Sequence, residues 1–129
     1  MTSWLVILLA TFAHTSALST PSTPNLLLHG TQGSRSPLVN WFMYEASIPF
    51  TIAQPRPSPH PFGQVPCLVD NTQTNTHDGI VLFESGAILL HLYKEHSATS
   101  PTPAEYASAL SWVMWANACL DGICFKENE

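Results

Sequence analysis

The sequence predicts an α/β fold built on a small mixed β-sheet, and three observations lead to this prediction. The chain has 129 residues, which is enough for one ordinary domain and the beginning of a second. Hydrophobic residues make up 45% of the chain and charged residues only 10%, a balance typical of folded chains rather than disordered ones. Four short apolar runs are interleaved with segments that have the spacing of helices.

The first half of the predicted domain consists of a strand, a helix and a strand. The apolar run Leu26–His29 predicts a buried strand. Ser36 is expected to cap a helix with Pro37 at its first position. The apolar residues that follow at helical spacing are Val39, Phe42, Met43 and Ala46. Pro49 ends this helix, and residues 50–53 form the second predicted strand.

The second half consists of a loop, two strands and a helix. Prolines at alternate positions of residues 55–61 exclude a regular helix or a central strand there, so this segment is predicted to be a stiff loop. Residues 65–70 and 80–83 are predicted to pair as antiparallel strands across a polar loop and an Asp-Gly turn at residues 71–79. Residues 84–96 follow as a helix whose apolar face carries Ile88, Leu89 and Leu92.

The order of these elements favours a thioredoxin-like βαβ-ββα domain over residues 25–97. Two strands joined by a helix are expected to be parallel, and the last two strands antiparallel. A further helix begins at a capping box formed by Thr102 and Glu105. It is predicted to run to about Leu120 with apolar residues on several faces, so residues 98–129 are expected to be the first helix of a truncated all-α domain. One stripe of this helix carries Leu110, Val113, Met114 and the polar Asn117, and the adjoining faces carry Trp112 and Trp115.

The amino end has the character of a targeting leader over residues 1–24. Residues 1–34 contain no Asp, Glu, Lys or Arg, and residues 4–13 are apolar apart from Thr11. About 20 apolar residues are needed to cross a bilayer, so the run suits a signal peptide better than a membrane helix. A leader without fixed structure is the alternative. A functional leader predicts the secretory pathway or an organelle, and otherwise the cytoplasm is expected.

Composition excludes several classes of function. Four basic residues and a net charge of −5 cannot form a broad phosphate-binding surface, so no nucleic-acid partner is expected. The six histidines show no paired ligand spacing, and no metal is predicted. Dithiol exchange is excluded because residues 34–37 read Ser-Arg-Ser-Pro where a thioredoxin has its Cys pair. Cys67 is predicted to be a buried, inert thiol.

Two short segments have the chemistry of a peptide-binding site. A proline that opens a strand after a loop, as Pro66 does, can be cis and expose the backbone of Val65 to an extended peptide. The simpler alternative is an ordinary proline at a strand start. Glu84 and Ser85 begin a helix, where unpaired N–H groups attract a carboxylate and the Glu84 carboxylate attracts an ammonium group. Here the alternative is an ordinary helix cap beside a solvated charge.

These segments together resemble a known family. Residues 61–68 (PFGQVPCL) and 83–89 (FESGAIL) are similar to the amino-terminal domain of cytosolic-type glutathione transferases over residues 26–96. Residues 106–125 resemble the first helix of that family's second domain. The resemblance implies glutathione as co-substrate and the following binding residues: Gln64, Val65, a cis Pro66, Glu84 and Ser85.

The family activates the glutathione thiol with a hydroxyl or thiol after the first strand. A free thiol has a pKa near 8.5, and a donated hydrogen bond lowers it. The resemblance implies Ser34 as this group, with Ser36 and Thr31 as alternatives, because Ser36 is expected to be committed to capping the helix. Arg35 can add positive potential and His60 can reach the glycyl carboxylate, although both can equally face water.

The implied function is conjugation of glutathione to an electrophilic small molecule, a detoxification reaction. Alternatives are a non-catalytic glutathione-binding or protein-interaction module of the same fold, and a glutathione-dependent reductase or dehalogenase. A homodimer is left open. Because Trp112, Trp115 and Phe125 are expected to be partly exposed, the chain is predicted to self-associate or to have low solubility.

Overall fold

The computed structural model describes residues 25–72 and 79–124, so the predicted leader, most of the loop before the fourth strand, and Phe125 lie outside the described residues. The elements are β1 (Leu26–His29), α1 (Ser36–Glu45), β2 (Thr51–Ala53), β3 (Cys67–Asp70), β4 (Ile80–Phe83), α2 (Ser85–His96), α3 (Pro103–Trp115) and α4 (Asp121–Cys124), with a π-helical turn (Ala116–Leu120) between α3 and α4.

The four strands form one mixed sheet in the order β2-β1-β3-β4. β1 runs parallel to β2, and β3 runs antiparallel to both β1 and β4. The parallel pair is joined through α1 and the antiparallel pair by a direct loop, as short connections of these two kinds require. The sequence prediction of a thioredoxin-like mixed sheet is therefore confirmed.

The core joins the central strands to the first two helices. Leu28 of β1 and Leu68 of β3 are register partners, and both are fully buried. Side chains that complete this core come from α1 and α2, at the i, i+4 spacing that places residues on one helix face. They are Val39 and Met43 from α1 and Ile88 and Leu92 from α2.

Four predicted starts of elements, those of α1, β2, β3 and α2, differ from the structure by one or two residues. β2 begins at Thr51 rather than at residue 50, and α2 begins at Ser85 rather than at residue 84. α1 begins at Ser36, with Arg35 in the N-cap position, so Ser36 is not the cap of this helix. β3 begins at Cys67 rather than Val65, because Pro66 has no N–H group to donate to a neighbouring strand.

α3 packs against α2 but buries none of its side chains. A Cβ atom on Gly86 of α2 would lie only 2.9 Å from Cγ1 of Val113, so glycine permits the close approach of the two helices. Trp112 and Trp115 form a T-shaped pair and are 66% and 47% exposed, as predicted. The chain is helical to Leu120, as predicted, but after Trp115 a π-helical turn replaces the α-helix. None of the described helices is both long and apolar enough to span a membrane.

Candidate functional site

A polar cleft of about 560 Å³ brings together the loops before α1, β3 and α2. It is lined by Gly33, Ser34, Arg35, His60, Gln64, Val65, Pro66, Glu84, Ser85 and Cys124. All six site residues named from the sequence therefore lie in one cleft, although they come from segments up to about 50 residues apart. Thr31 and Ser36, the two alternatives to Ser34, are not among the lining residues.

The Val65–Pro66 segment provides an unpaired stretch of backbone at one wall of the cleft. The Val65–Pro66 peptide bond is cis. Among the described residues, neither the N–H nor the C=O of Val65 hydrogen bonds to another group, because the strand ladder begins at Cys67. The preceding carbonyl, of Gln64, accepts a hydrogen bond from the Ser58 hydroxyl at 3.1 Å. Val65 can thus offer one donor and one acceptor to an extended ligand.

The amino end of α2 forms a second wall. The first N–H groups of a helix have no partner within it and carry a partial positive charge. In α2 no side chain caps these groups, and Ser85, the first helical residue, is buried with its hydroxyl at the cleft. Glu84, immediately before it, has a backbone φ of 68°, a conformation that non-glycine residues rarely adopt. A site whose N–H groups can bind a carboxylate therefore lies next to the anionic side chain of Glu84.

Ser34 lies in the loop between β1 and α1 and is held by three hydrogen bonds. Its hydroxyl donates to the Thr31 carbonyl at 2.9 Å and accepts from the Ser36 N–H at 3.1 Å. The Oγ atoms of Ser34 and Ser36 are 2.6 Å apart. Because the single proton of Ser34 goes to Thr31, Ser36 is the donor in this pair. The Ser34 oxygen is thus fixed in the cleft by two donors from Ser36.

The expectation that Ser36 caps α1 is wrong. Its side chain is buried, and its Oγ accepts the N–H of Thr31 at 3.1 Å, so it ties the loop back onto the start of the helix. Gly30 makes this possible, since a Cβ there would lie 2.6 Å from the Ser36 hydroxyl. Of the three residues considered for the thiol contact, only Ser34 is placed to reach a ligand in the cleft.

His60 is buried at the cleft rather than facing water. Its Nδ1 accepts the N–H of Phe62 at 3.0 Å, so the proton of the neutral ring is on Nε2 and that nitrogen can donate. The ring also packs against Phe83, with centroids 4.7 Å apart. Sequence reasoning gave this residue a minor role, because flanking prolines in a loop do not reveal burial.

Comparison with known proteins identifies the family. The family model described as the glutathione S-transferase N-terminal domain matches residues 27–94. The chain belongs to this family. Among solved structures, it is similar to a glutathione transferase homolog from Sulfitobacter with bound glutathione, at 19% identity and a TM-score of 0.41, over 78% of this chain and 69% of that chain. No curated protein matches the chain.

The cysteines of this glutathione S-transferase domain differ in their exposure. Cys67 is fully buried in β3, as predicted, and burial raises the pKa of its thiol although a hydrogen bond with Ser58 lowers it in part. Cys124 is exposed at the end of α4 and lines the cleft. No local pattern in the sequence indicates that position, because it depends on how the π-helical turn directs the chain.

A second polar cluster lies outside the cleft and was missed by sequence reasoning. Oδ2 of the buried Asp70 is 2.7 Å from Nε2 of both His91 and His96. Oδ1 accepts the N–H and the hydroxyl of Thr72 at 2.8 and 2.6 Å. Burial acts to raise the pKa of Asp70, but the hydrogen bonds from Thr72 and the two imidazoles outweigh it and lower the pKa to about 2. The view that the histidines are scattered is therefore wrong for this pair.

Proposed function

We propose that this chain binds glutathione in the polar cleft and activates its thiol for attack on an electrophilic small molecule. One observation carries the proposal: unpaired backbone at Val65, an uncapped helix end at Ser85 and a fixed hydroxyl at Ser34 all line one cleft. These groups match, in kind and order, the backbone, the charged head and the thiol of one short peptide.

The amino-acid end of glutathione is expected to dock at the start of α2. Its carboxylate would accept hydrogen bonds from the free N–H groups there and from the Ser85 hydroxyl, assisted by the partial charge of a 12-residue helix. Its ammonium group would pair with the Glu84 carboxylate. The cysteinyl backbone would then hydrogen bond to the N–H and C=O of Val65, as an added strand does. His60 Nε2 is the donor that we assign to the glycyl carboxylate.

The proposed role of Ser34 is to donate its hydroxyl proton to the glutathione sulfur. This requires the Ser34 O–H to rotate away from the Thr31 carbonyl, which lies in an exposed turn where water can replace it. The two hydrogen bonds from Ser36 to the Ser34 oxygen are unaffected by this rotation and strengthen Ser34 as a donor, since chained hydrogen bonds polarise one another. Below both pKa values, each unit by which the thiol pKa falls raises the thiolate fraction about tenfold.

The bond between Ser34 and Thr31 also favours a second candidate, a non-catalytic glutathione-binding module. In that case the hydroxyl stays on the Thr31 carbonyl and only stabilises the loop, while Val65, Glu84 and Ser85 still bind the peptide. Binding and conjugation must therefore be measured separately.

The binding test is retention of the full chain on immobilised glutathione. Ser85→Ala and Glu84→Ala are expected to abolish retention, because each removes a partner of the charged head of the peptide. Ser111→Ala and Glu95→Ala remove the same groups from positions that do not line the cleft and are expected to leave retention unchanged. Equal retention by all four variants would reject the binding site.

The catalytic test is the rate of conjugation to an activated aryl chloride. Ser34→Ala is expected to lower this rate by about 10²-fold, the lower end of what a positioned proton donor contributes, while retention on glutathione persists. An unchanged rate would remove Ser34 from the mechanism. Retention without any conjugation by the unmodified chain would establish the non-catalytic module instead.

A further inference from the structure

The cluster formed by Asp70, His91 and His96 has the composition of a metal site. One oxygen or nitrogen from each residue lies within 4.8 Å of the other two. Asp70 is the last residue of β3, and the histidines lie five positions apart in the last two turns of α2. Two imidazoles and a carboxylate are ligands typical of zinc and its neighbours in the first transition row.

The present positions of these atoms are close to those that coordination needs. Zinc binds histidine nitrogen and carboxylate oxygen at about 2.0–2.2 Å, so tetrahedral ligand atoms lie about 3.3 Å apart. Asp70 Oδ2 is now 2.7 Å from each Nε2 atom, so each imidazole needs to move away by about 0.6 Å. The two rings already face the same oxygen, with centroids 5.7 Å apart.

Thr72 orients the carboxylate for this role. Its N–H and hydroxyl both bind Oδ1 of Asp70, so that oxygen is satisfied and Oδ2 faces the imidazoles. Groups that hydrogen bond to the part of a ligand that does not bind the metal fix the orientation of the ligand and strengthen metal binding. The Asp70 side chain is fully buried, whereas those of His91 and His96 are 14% and 13% exposed, so the histidine side offers an entry path.

We propose that Asp70, His91 and His96 bind one divalent cation of the zinc class, with water in the fourth position. Each imidazole would coordinate through the Nε2 lone pair and keep its proton on Nδ1, and the metal would replace both hydrogen bonds to Oδ2. None of the three residues lines the cleft, so this site is independent of the proposed glutathione function. A hydrogen-bonded cluster that binds no metal is the competing outcome.

The test is titration of the untagged, full-length Cys119→Ser/Cys124→Ser chain with Co²⁺ and then Zn²⁺, in the absence of glutathione. The two substitutions remove the exposed thiols that can bind metal on their own. We expect one Co²⁺ per chain, with the visible absorption of a tetrahedral site and no thiolate charge-transfer band, and displacement by Zn²⁺. No saturable binding would overturn the proposal.

Variants of the ligands assign the ion to this cluster. His91→Gln and His96→Gln are expected to weaken Co²⁺ binding at least 10-fold, and Thr72→Val to weaken it about 10-fold by releasing the carboxylate. His29→Gln is the control, because the His29 imidazole hydrogen bonds to the Gln54 carbonyl and is not part of the Asp70 cluster. This variant is expected to leave the affinity for Co²⁺ unchanged. Far-UV circular dichroism verifies that each variant is folded. Unchanged affinity in folded His91→Gln and His96→Gln, or an equal loss in His29→Gln, would refute the site.

Discussion

The backbone at Glu84 predicts that one substitution will stabilise the fold and abolish ligand binding. Glu84 has φ of 68° and ψ of 123°, and strained backbone of this kind costs about 1–3 kcal/mol in a non-glycine residue. Glu84→Gly relieves this strain, whereas Glu84→Ala keeps it. Glycine loses about 0.5–1 kcal/mol more backbone entropy on folding than alanine does. The difference between the two variants is therefore about 1 kcal/mol in favour of glycine.

The assay is urea denaturation followed by far-UV circular dichroism. With a dependence of about 1–3 kcal/mol per molar urea, the midpoint of Glu84→Gly should lie about 0.3–1 M above that of Glu84→Ala. Both variants lack the carboxylate, so both should fail to bind immobilised glutathione. This pair of results would mean that the strained residue at position 84 contributes to binding and not to stability.

Ser47 provides the matched control. It also has a positive φ, of 53°, but it is exposed and lies in the turn after α1, away from the cleft. Ser47→Gly should raise the midpoint relative to Ser47→Ala in the same way and leave glutathione retention intact. A midpoint for Glu84→Gly at or below that of Glu84→Ala would refute the argument from strain.

Three further predictions concern the frame around the cleft. Gly86→Ala would place a Cβ 2.9 Å from Val113 Cγ1, so it should lower the free energy of unfolding by about 1–3 kcal/mol. The rate of amide hydrogen exchange should rise first in α3, and an unchanged rate there would contradict the α2–α3 contact. Leu68→Ala removes a fully buried core side chain and should lower the free energy of unfolding, measured by urea denaturation, by about 2–5 kcal/mol. A decrease below about 1 kcal/mol would mean that the core is packed differently. Thr102→Ala removes the hydroxyl and weakens the capping box that lowers the pKa of Glu105 below its ordinary 4.5. The part of this stabilisation that depends on the Glu105 carboxylate is present above pH 4.5 and disappears as the pH falls. The difference in thermal midpoint between Thr102→Ala and the unmodified chain should therefore be larger at pH 7 than in acid, and a constant difference would contradict this linkage.

The strands and helices could be predicted where an apolar pattern ends at a polar residue, a turn or a proline. β1 and β4 were predicted at their observed bounds, because each is a short apolar run with a polar residue or turn beside it. In α2, burial of Leu90 was not predicted. It lies one turn after Gly86, on the side that meets α3, and a second buried face of a helix is visible only when its neighbour is known.

Prediction of the cleft depended on the resemblance to a family, and the hydrogen bonds within it could not be predicted at all. The sequence separations of Ser34, Val65 and Glu84 do not indicate that the three loops that carry them meet in the fold. Ser36 does not cap α1, because the helix begins one residue earlier than the sequence predicts and the Ser36 hydroxyl binds the Thr31 N–H instead. The cluster at Asp70 joins a strand to residues 21 and 26 positions later on a helix, a separation at which no linear motif exists.

The distribution of the indole side chains determines which optical signal can report on this molecule. Trp41, Trp112 and Trp115 all lie on α1 or α3, each about half exposed or more, and the described part of the sheet contains none. Their emission should already be close to that of indole in water when the chain is folded. Loss of the sheet will change this emission little, whereas docking of any macromolecule over α3 should shift it to the blue. For the three tryptophans of the described residues, intrinsic fluorescence is therefore a reporter of association and a poor measure of unfolding.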